Sequence, residues 1–288
     1  MLHTLFMASV NAEELVYTRA FADDDYGSYH VAVLNAVLVA TKEFGDVTLV
    51  PHPHPMTQSR QKLTLLTGEA DVMWSVTNQS REQKLIPIKL PLLKGFAGLR
   101  VLVIHPSRQG EFSKEVDSSA LQTLTMVQGS DWPDKHVLIE NGYNVEGEEW
   151  SLWFNSMYSM VSRQLVDAFP RNIVEVHRDL NRHQDMQLSL ERFHLLTYPS
   201  YEYFFVSPNA PDLANRLRLG LIRILENGEL GRIFDSYEVH KKAEMLADTQ
   251  NRRVHELGNP AVPYKLNYAR WDKHKALAIQ ALKKEMPK

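Results

Sequence analysis

The chain has no cysteine. That excludes disulfides, cysteine nucleophiles and thiolate metal sites. It has no run of about 18 or more apolar residues, so no membrane-spanning helix is expected. Neither sign of charge dominates: 35 acidic and 32 basic residues leave a formal net charge of −3. Without a basic field, nucleic acid is not an expected partner. G-x-S-x-G, G-x-G-x-x-G and a phosphate-binding glycine loop are also missing, so no sequence signature singles out a nucleophile or a nucleotide site. No cofactor is expected. What remains is ordinary for a globular protein: 288 residues, 44% hydrophobic and 23% charged. That suits one large domain or two of roughly 100–150 residues.

The opening stretch MLHTLFMASVNAEEL joins a short apolar segment to Val10-Asn11-Ala12 before Glu13. A small residue ahead of an acidic start reads as the end of a secretory signal, although the positive n-region is missing. Residues 1–12 are expected to be a signal remnant, with a plain strand lead-in as the alternative.

From residue 14 the pattern alternates. ELVYTRAF reads as a strand, HVAVLNAVLVATKEFG as a helix stopped at Gly45, and DVTLVPHPHP as a strand entering a proline-rich loop. TQSRQKLTLLTGEA reads as a helix capped by Thr57 or Ser59, and DVMWSV (71–76) as the next strand. A β-α-β-α-β order implies a parallel sheet, with ligands at the carboxyl ends of its strands. LRVLVIH is a buried strand, and TLTMVQGSDWPDKHVLIENGYNV opens a second α/β set with Pro133 at the first helical position and a stop at Gly142. PDLANRLRLGLIRILENGEL is an amphipathic helix ended by Asn227-Gly228. The last fifty or so residues read as polar and helical.

Three segments carry a family resemblance. In GEADVMWSVTNQSREQKL a helix ends at Gly68, a strand starts at Asp71, and a Ser75-x-Thr77 turn leads to Arg81. TMVQGSDWPDKHVLIENG is a strand, a glycine turn and a helix, and NAPDLANRLRLGLIRILENGELGRIFDSY is a late helix with a glycine turn. In this order they resemble the type II periplasmic solute-binding proteins, specifically the extracellular family 3 that includes polar amino-acid receptors, over about residues 13 to 237. The resemblance implies a two-lobed α/β fold, each lobe a mixed sheet flanked by helices, with the ligand in the cleft between them. Lobe one is expected at 13–105 plus 204–288, with a helical extension at 239–288, and lobe two at 106–203. It also implies an exported, periplasmic, non-enzymatic protein that captures a small polar solute by lobe closure. Its partner would be the permease of an ABC transporter or a sensor, and a monomer is expected. An enzyme on the same scaffold and a diverged interaction module are the alternatives.

Arg81 is the first candidate ligand residue, because a guanidinium pairs bidentately with a carboxylate, the role the resemblance gives to the Arg of this turn. Here one extra residue separates Thr77 from it. Ser75 and Thr77 share one side of an extended segment and offer hydroxyls, or serve as turn formers. Trp74 is expected to face opposite to Ser75, as a stacking surface or as core. Tyr17 and Arg19 in the first strand and Tyr26 in the loop after it are further candidates, because that strand and loop line the cleft in the family; ordinary strand packing is the alternative for Tyr17. Gln128, Ser130 and Asp131 precede a helix whose amides favour an anion, although Ser130 or Asp131 also suits the cap. Counting from Asp167, the position where the family's acid holds an ammonium group is Arg171 or Asn172. A cation replaces the acid, so a more anionic or non-amino ligand is expected, unless Arg171 pairs with Glu175. His52 and His54 point the same way but have no third ligand nearby, so no metal is expected.

Overall fold

The computed structural model describes residues 13–22, 26–149 and 154–287. Residues 1–12, on which the signal-remnant reading falls, lie outside them. The first half runs β1 (Glu13–Tyr17), α1 (Ser28–Val39), β2 (Val47–Pro51), α2 (Gln58–Thr67), β3 (Val72–Val76), α3 (Gln79–Lys84), β4 (Ile86–Ile88), β5 (Leu99–Ile104), α4 (Ser118–Gln122), β6 (Thr125–Gly129) and α5 (Pro133–Glu140). The second half runs β7 (Asn144–Glu148), α6 (Asn155–Ser162), β8 (Ala168–Asn172), α7 (Val176–Arg182), β9 (Ser189–Leu190), β10 (His194–Thr197), β11 (Glu202–Val206), α8 (Pro211–Glu226), α9 (Glu229–Ser236), α10 (Glu238–Leu246), β12 (Arg253–Glu256) and α11 (Lys275–Lys284).

Two mixed sheets result. The first has the order β2-β1-β3-β11-β4, with β1 parallel to β2 and β3, and β11 antiparallel to β3 and β4. The second has the order β12-β10-β5-β8-β6-β7, with β9 against β5. The expected start of the first sheet is seen, and its local signals work: Thr57 caps α2 by accepting from the Arg60 amide, and Gly68 ends it in the left-handed conformation. Pro133 opens α5, whose N-cap is Trp132 rather than Ser130 or Asp131, with no side-chain cap.

Several readings of the sequence differ from the structure, among them the helix read as stopping at Gly45, which ends at Val39. β5 belongs to the second sheet, between β8 and β10, because Val101 to Ile104 are all buried and need cover on both faces. β8 spans Ala168–Asn172, so Arg171 is a strand residue. The C-terminal segment is not purely helical: β12 pairs in parallel with β10. The sheets therefore divide the chain differently from the expected 13–105/204–288 and 106–203, with 99–104 and 253–256 in the second sheet.

The apolar helix α1 is buried through Val33, Leu34, Val37 and Leu38, and it lies close against α8. A Cβ on Gly220 of α8 would stand 2.8 Å from the Val37 carbonyl oxygen, so a side chain there would force the helices apart. Among the described residues no helix is long and apolar enough to cross a membrane.

Candidate functional site

A cavity of about 70 Å³ lies between the two sheets. By volume it holds roughly five water-sized groups. Six of the sequence candidates line it: Arg19, Tyr26, Trp74, Ser75, Gln128 and Arg171. Trp74 and Ser75 both border it, although strand alternation puts them on opposite faces, because β3 ends at Val76 and its last residues reach the cavity edge. The Trp74 ring lies parallel to His30, 4.9 Å between centroids, and 5.8 Å from Tyr17. This seat requires Gly27, which has φ +94° and whose Cβ would come 2.3 Å from Trp74. His30 is in turn bonded to Glu202, a further lining residue.

Arg81 sits just behind this wall, 5% exposed. The Asn78 side chain caps α3 by accepting from the Arg81 amide, and the guanidinium folds back onto the strand end. It donates to the Val76 carbonyl at 2.5 Å and to Gln58 Oε1 at 2.7 Å. Ser75 Oγ donates to the same Gln58 oxygen at 3.2 Å, and Gln58 lines the cavity. Among the described residues no carboxylate lies within ion-pair distance of Arg81. Burial pulls its pKa down to about 10. Arg19 is held by three carbonyls, donating to His52, Ala22 and Pro53 at 2.9, 2.9 and 3.0 Å. It too has no carboxylate partner among the described residues.

The second sheet contributes paired charges. Arg171, 3% exposed, bonds Asp179 Oδ2 through Nε at 3.0 Å and Nη2 at 2.5 Å, and lies 3.1 Å from Glu175. Burial works against its charge, but Asp179 and Glu175 outweigh that and raise its pKa. Its guanidinium lies 4.6 Å from the Phe154 ring centroid and 5.3 Å from that of Trp132. Gln128 donates to the Pro170 carbonyl at 2.7 Å. Asn172, in the position where the resemblance expects an acid, is turned to the Phe96 and Ala97 carbonyls.

The remaining candidates face other partners. Thr77 donates to Glu82 at 2.7 Å and Ser130 to Glu149 at 3.0 Å. Asp131 accepts from the amide and hydroxyl of Ser59 at 3.2 and 3.1 Å, which ties the start of α5 beside the second sheet to α2 beside the first. His52 and His54 are tilted with centroids 6.0 Å apart, and no group of three metal-ligating side chains occurs among the described residues.

Sequence reasoning missed Arg100 and Asp134. Both line the cavity and pair at 2.6 Å, and Tyr198 donates to the same Asp134 oxygen. The signal was there: Arg100 is a lone charge inside the apolar strand LRVLVI, and a buried charge needs a partner. Asp134 carries no such signal, because an acid in the first turn of a helix is ordinary.

No family model and no curated protein matches the sequence. Solved structures do. A histidine kinase sensor domain with similarity to periplasmic binding proteins matches with a TM-score of 0.59 at 12% identity, covering 79% of this chain and 96% of that one. The VFT2 domain of Bordetella pertussis BvgS gives 0.60 at 18%, covering 79% and 93%. A Salmonella typhimurium periplasmic binding protein with high arginine specificity gives 0.59 at 12%, covering 78% and 99%. At these identities the likeness establishes architecture: the chain has the two-lobed fold of the type II periplasmic binding proteins, with its polar cavity between the lobes.

Proposed function

We propose that this chain is an exported solute-binding protein that encloses a small polar ligand between its lobes and presents it to a permease or a sensor partner. One observation carries the reading: a small cavity lined by charged side chains from both sheets, Arg19 and Glu202 on one side and Arg100, Asp134 and Arg171 on the other. That geometry supports capture of a ligand by lobe closure. The neighbours described above, binding proteins and sensor domains, support it at the level of fold.

The ligand carries an anionic group in this reading. Arg100 and Arg171 already have carboxylate partners. Arg19, which lines the cavity, and Arg81, behind its wall, have carbonyl and amide oxygens instead, so neither charge is paired with a carboxylate and both favour an anion at the first sheet. The lining hydroxyl Ser75 is bonded to an amide oxygen rather than to a base, which gives it no activation as a nucleophile.

A thermal-shift panel of small carboxylates, sugar acids, amino acids and short peptides tests this. A single saturable binder is expected, raising stability by about 2.7 kcal/mol at a hundredfold excess over Kd. Arg19→Gln is expected to weaken that binder at least about tenfold, since a hydrogen bond to a charged group contributes about 1.5–3 kcal/mol. Unchanged affinity in both Arg19→Gln and Arg81→Lys would overturn the anion assignment while leaving solute binding intact.

A further inference from the structure

The neighbours above are matched over almost their whole length, while about a fifth of this chain lies outside the match. The C-terminal segment beyond α9 has a definite course. After α10 it reaches the second sheet, where β12 lies parallel to β10 and Leu257 donates to the Thr197 carbonyl at 2.8 Å. Asn141 of that lobe bonds both the amide and the carbonyl of Gly258. The chain then returns to the first lobe. Tyr264 donates to Glu82 at 2.5 Å, the Leu266 amide to the Tyr201 hydroxyl at 2.9 Å, and the buried Trp271 to the Pro91 carbonyl at 2.7 Å. Finally α11 packs on α8, with Arg218 3.3 Å from Glu285. One segment is thus fastened to both lobes, and any opening of the cleft strains it or releases one end.

The weaker fastening is β12, four residues long against the helix and aromatic anchors of the other end. It holds a buried histidine pair. His194 Nδ1 and His255 Nε2 are 2.9 Å apart, and His255 Nδ1 meets Ser118 Oγ at 2.8 Å. One proton can serve the N···N contact, and two cannot. We infer that residues 238–287 form a strap that holds the lobes together, with the His194–His255 pair as an acid-sensitive catch.

The charges around the catch are mixed. Glu191 favours protonation of His194, whereas Arg252 and Arg253 oppose it; Asp117 favours protonation of His255, whereas Arg253 opposes it. Burial is the larger influence on both, lowering His194 and pushing His255 down to about 4. A lowered histidine pKa means that the docked strand binds fewer protons than the released one. Docking is therefore complete above the ordinary value of 6.5 and weakens as pH falls towards about 4.

Hydrogen exchange on the full chain tests this. Corrected for intrinsic rates, exchange at 253–256 is expected to rise at least about tenfold from pH 7.5 to pH 5 while β8 stays protected. In His255→Gln the rise is expected to vanish. In the unsubstituted chain, the NMR titration midpoints of both imidazoles are expected below 6.5, and small-angle scattering is expected to show a larger radius of gyration at pH 5. Exchange at 253–256 that ignores pH, or rises equally in His255→Gln, overturns the catch, as does an ordinary midpoint for either histidine. Release of 253–256 without any change in the radius of gyration overturns the strap.

Discussion

Asp179→Asn is expected to destabilise the protein by about 3–5 kcal/mol, the cost of breaking a buried ion network by removing one partner. Asp179 is wholly buried. Its Oδ2 accepts from Arg171 and from the Tyr158 hydroxyl at 3.0 Å, and its Oδ1 accepts from Arg178 at 3.0 and 3.2 Å. Burial alone would raise its pKa, but Arg171 and Arg178 outweigh it and hold it below the ordinary 3.8. A lowered carboxylate pKa stabilises the fold above 3.8, and that contribution is lost as pH falls below it. Asparagine keeps the shape and removes the charge, leaving Arg171 with Glu175 alone. Urea unfolding at pH 7 reads the effect, and a loss under about 1 kcal/mol would show that the network adds little. Because Arg171 lines the cavity, the surviving fraction is also expected to bind its solute more weakly.

Gly98→Ala is expected to cost about 3 kcal/mol or more, at the upper end for overpacking. Gly98 lies where two segments that link the sheets, 89–98 and 198–201, pass each other, and its carbonyl accepts from the Tyr198 amide at 3.1 Å. A Cβ there would fall 1.9 Å from the Tyr198 carbonyl oxygen and 3.3 Å from the Ser200 amide nitrogen. These are backbone atoms and cannot swing aside as a flexible side chain would. The segments must separate, and Tyr198, whose hydroxyl meets Asp134, carries the disturbance into the cavity. Gly110→Ala is the control: nothing lies within 4 Å of its Cβ, and a change within about 0.5 kcal/mol is expected. Equal thermal midpoints for the two variants would contradict the crossing argument.

The fold was legible where local chemistry and tertiary demand agree. The early strand-helix alternation, the cap at Thr57, the stops at Gly68 and Gly142 and Pro133 at its helix start all report short-range physics. β12 was not legible, because Arg-Val-His-Glu is too short and too charged to signal a strand without β10 beside it. The sheet that β5 joins was not legible for a similar reason: a run such as Leu-Arg-Val-Leu-Val-Ile declares burial, not which sheet buries it. At the site, the structure places Trp74 and Ser75, at the end of β3, on the wall of the cavity. The assignment of Thr77, Ser130 and Asp131 rested on position in a turn, and side-chain direction in a turn depends on partners distant in sequence. Asp131 meets Ser59 across 72 positions, and Arg171 meets an aspartate in the next helix. Such pairings are invisible to spacing rules.

In the proposed function a small solute binds between the two lobes and touches both. Hydrogen exchange with and without a saturating amount of the panel's best binder tests it most directly. Protection is expected together at 75–77 in the first lobe and at 128–134 and 170–172 in the second. Protection confined to one lobe, or appearing away from both sets, would contradict it.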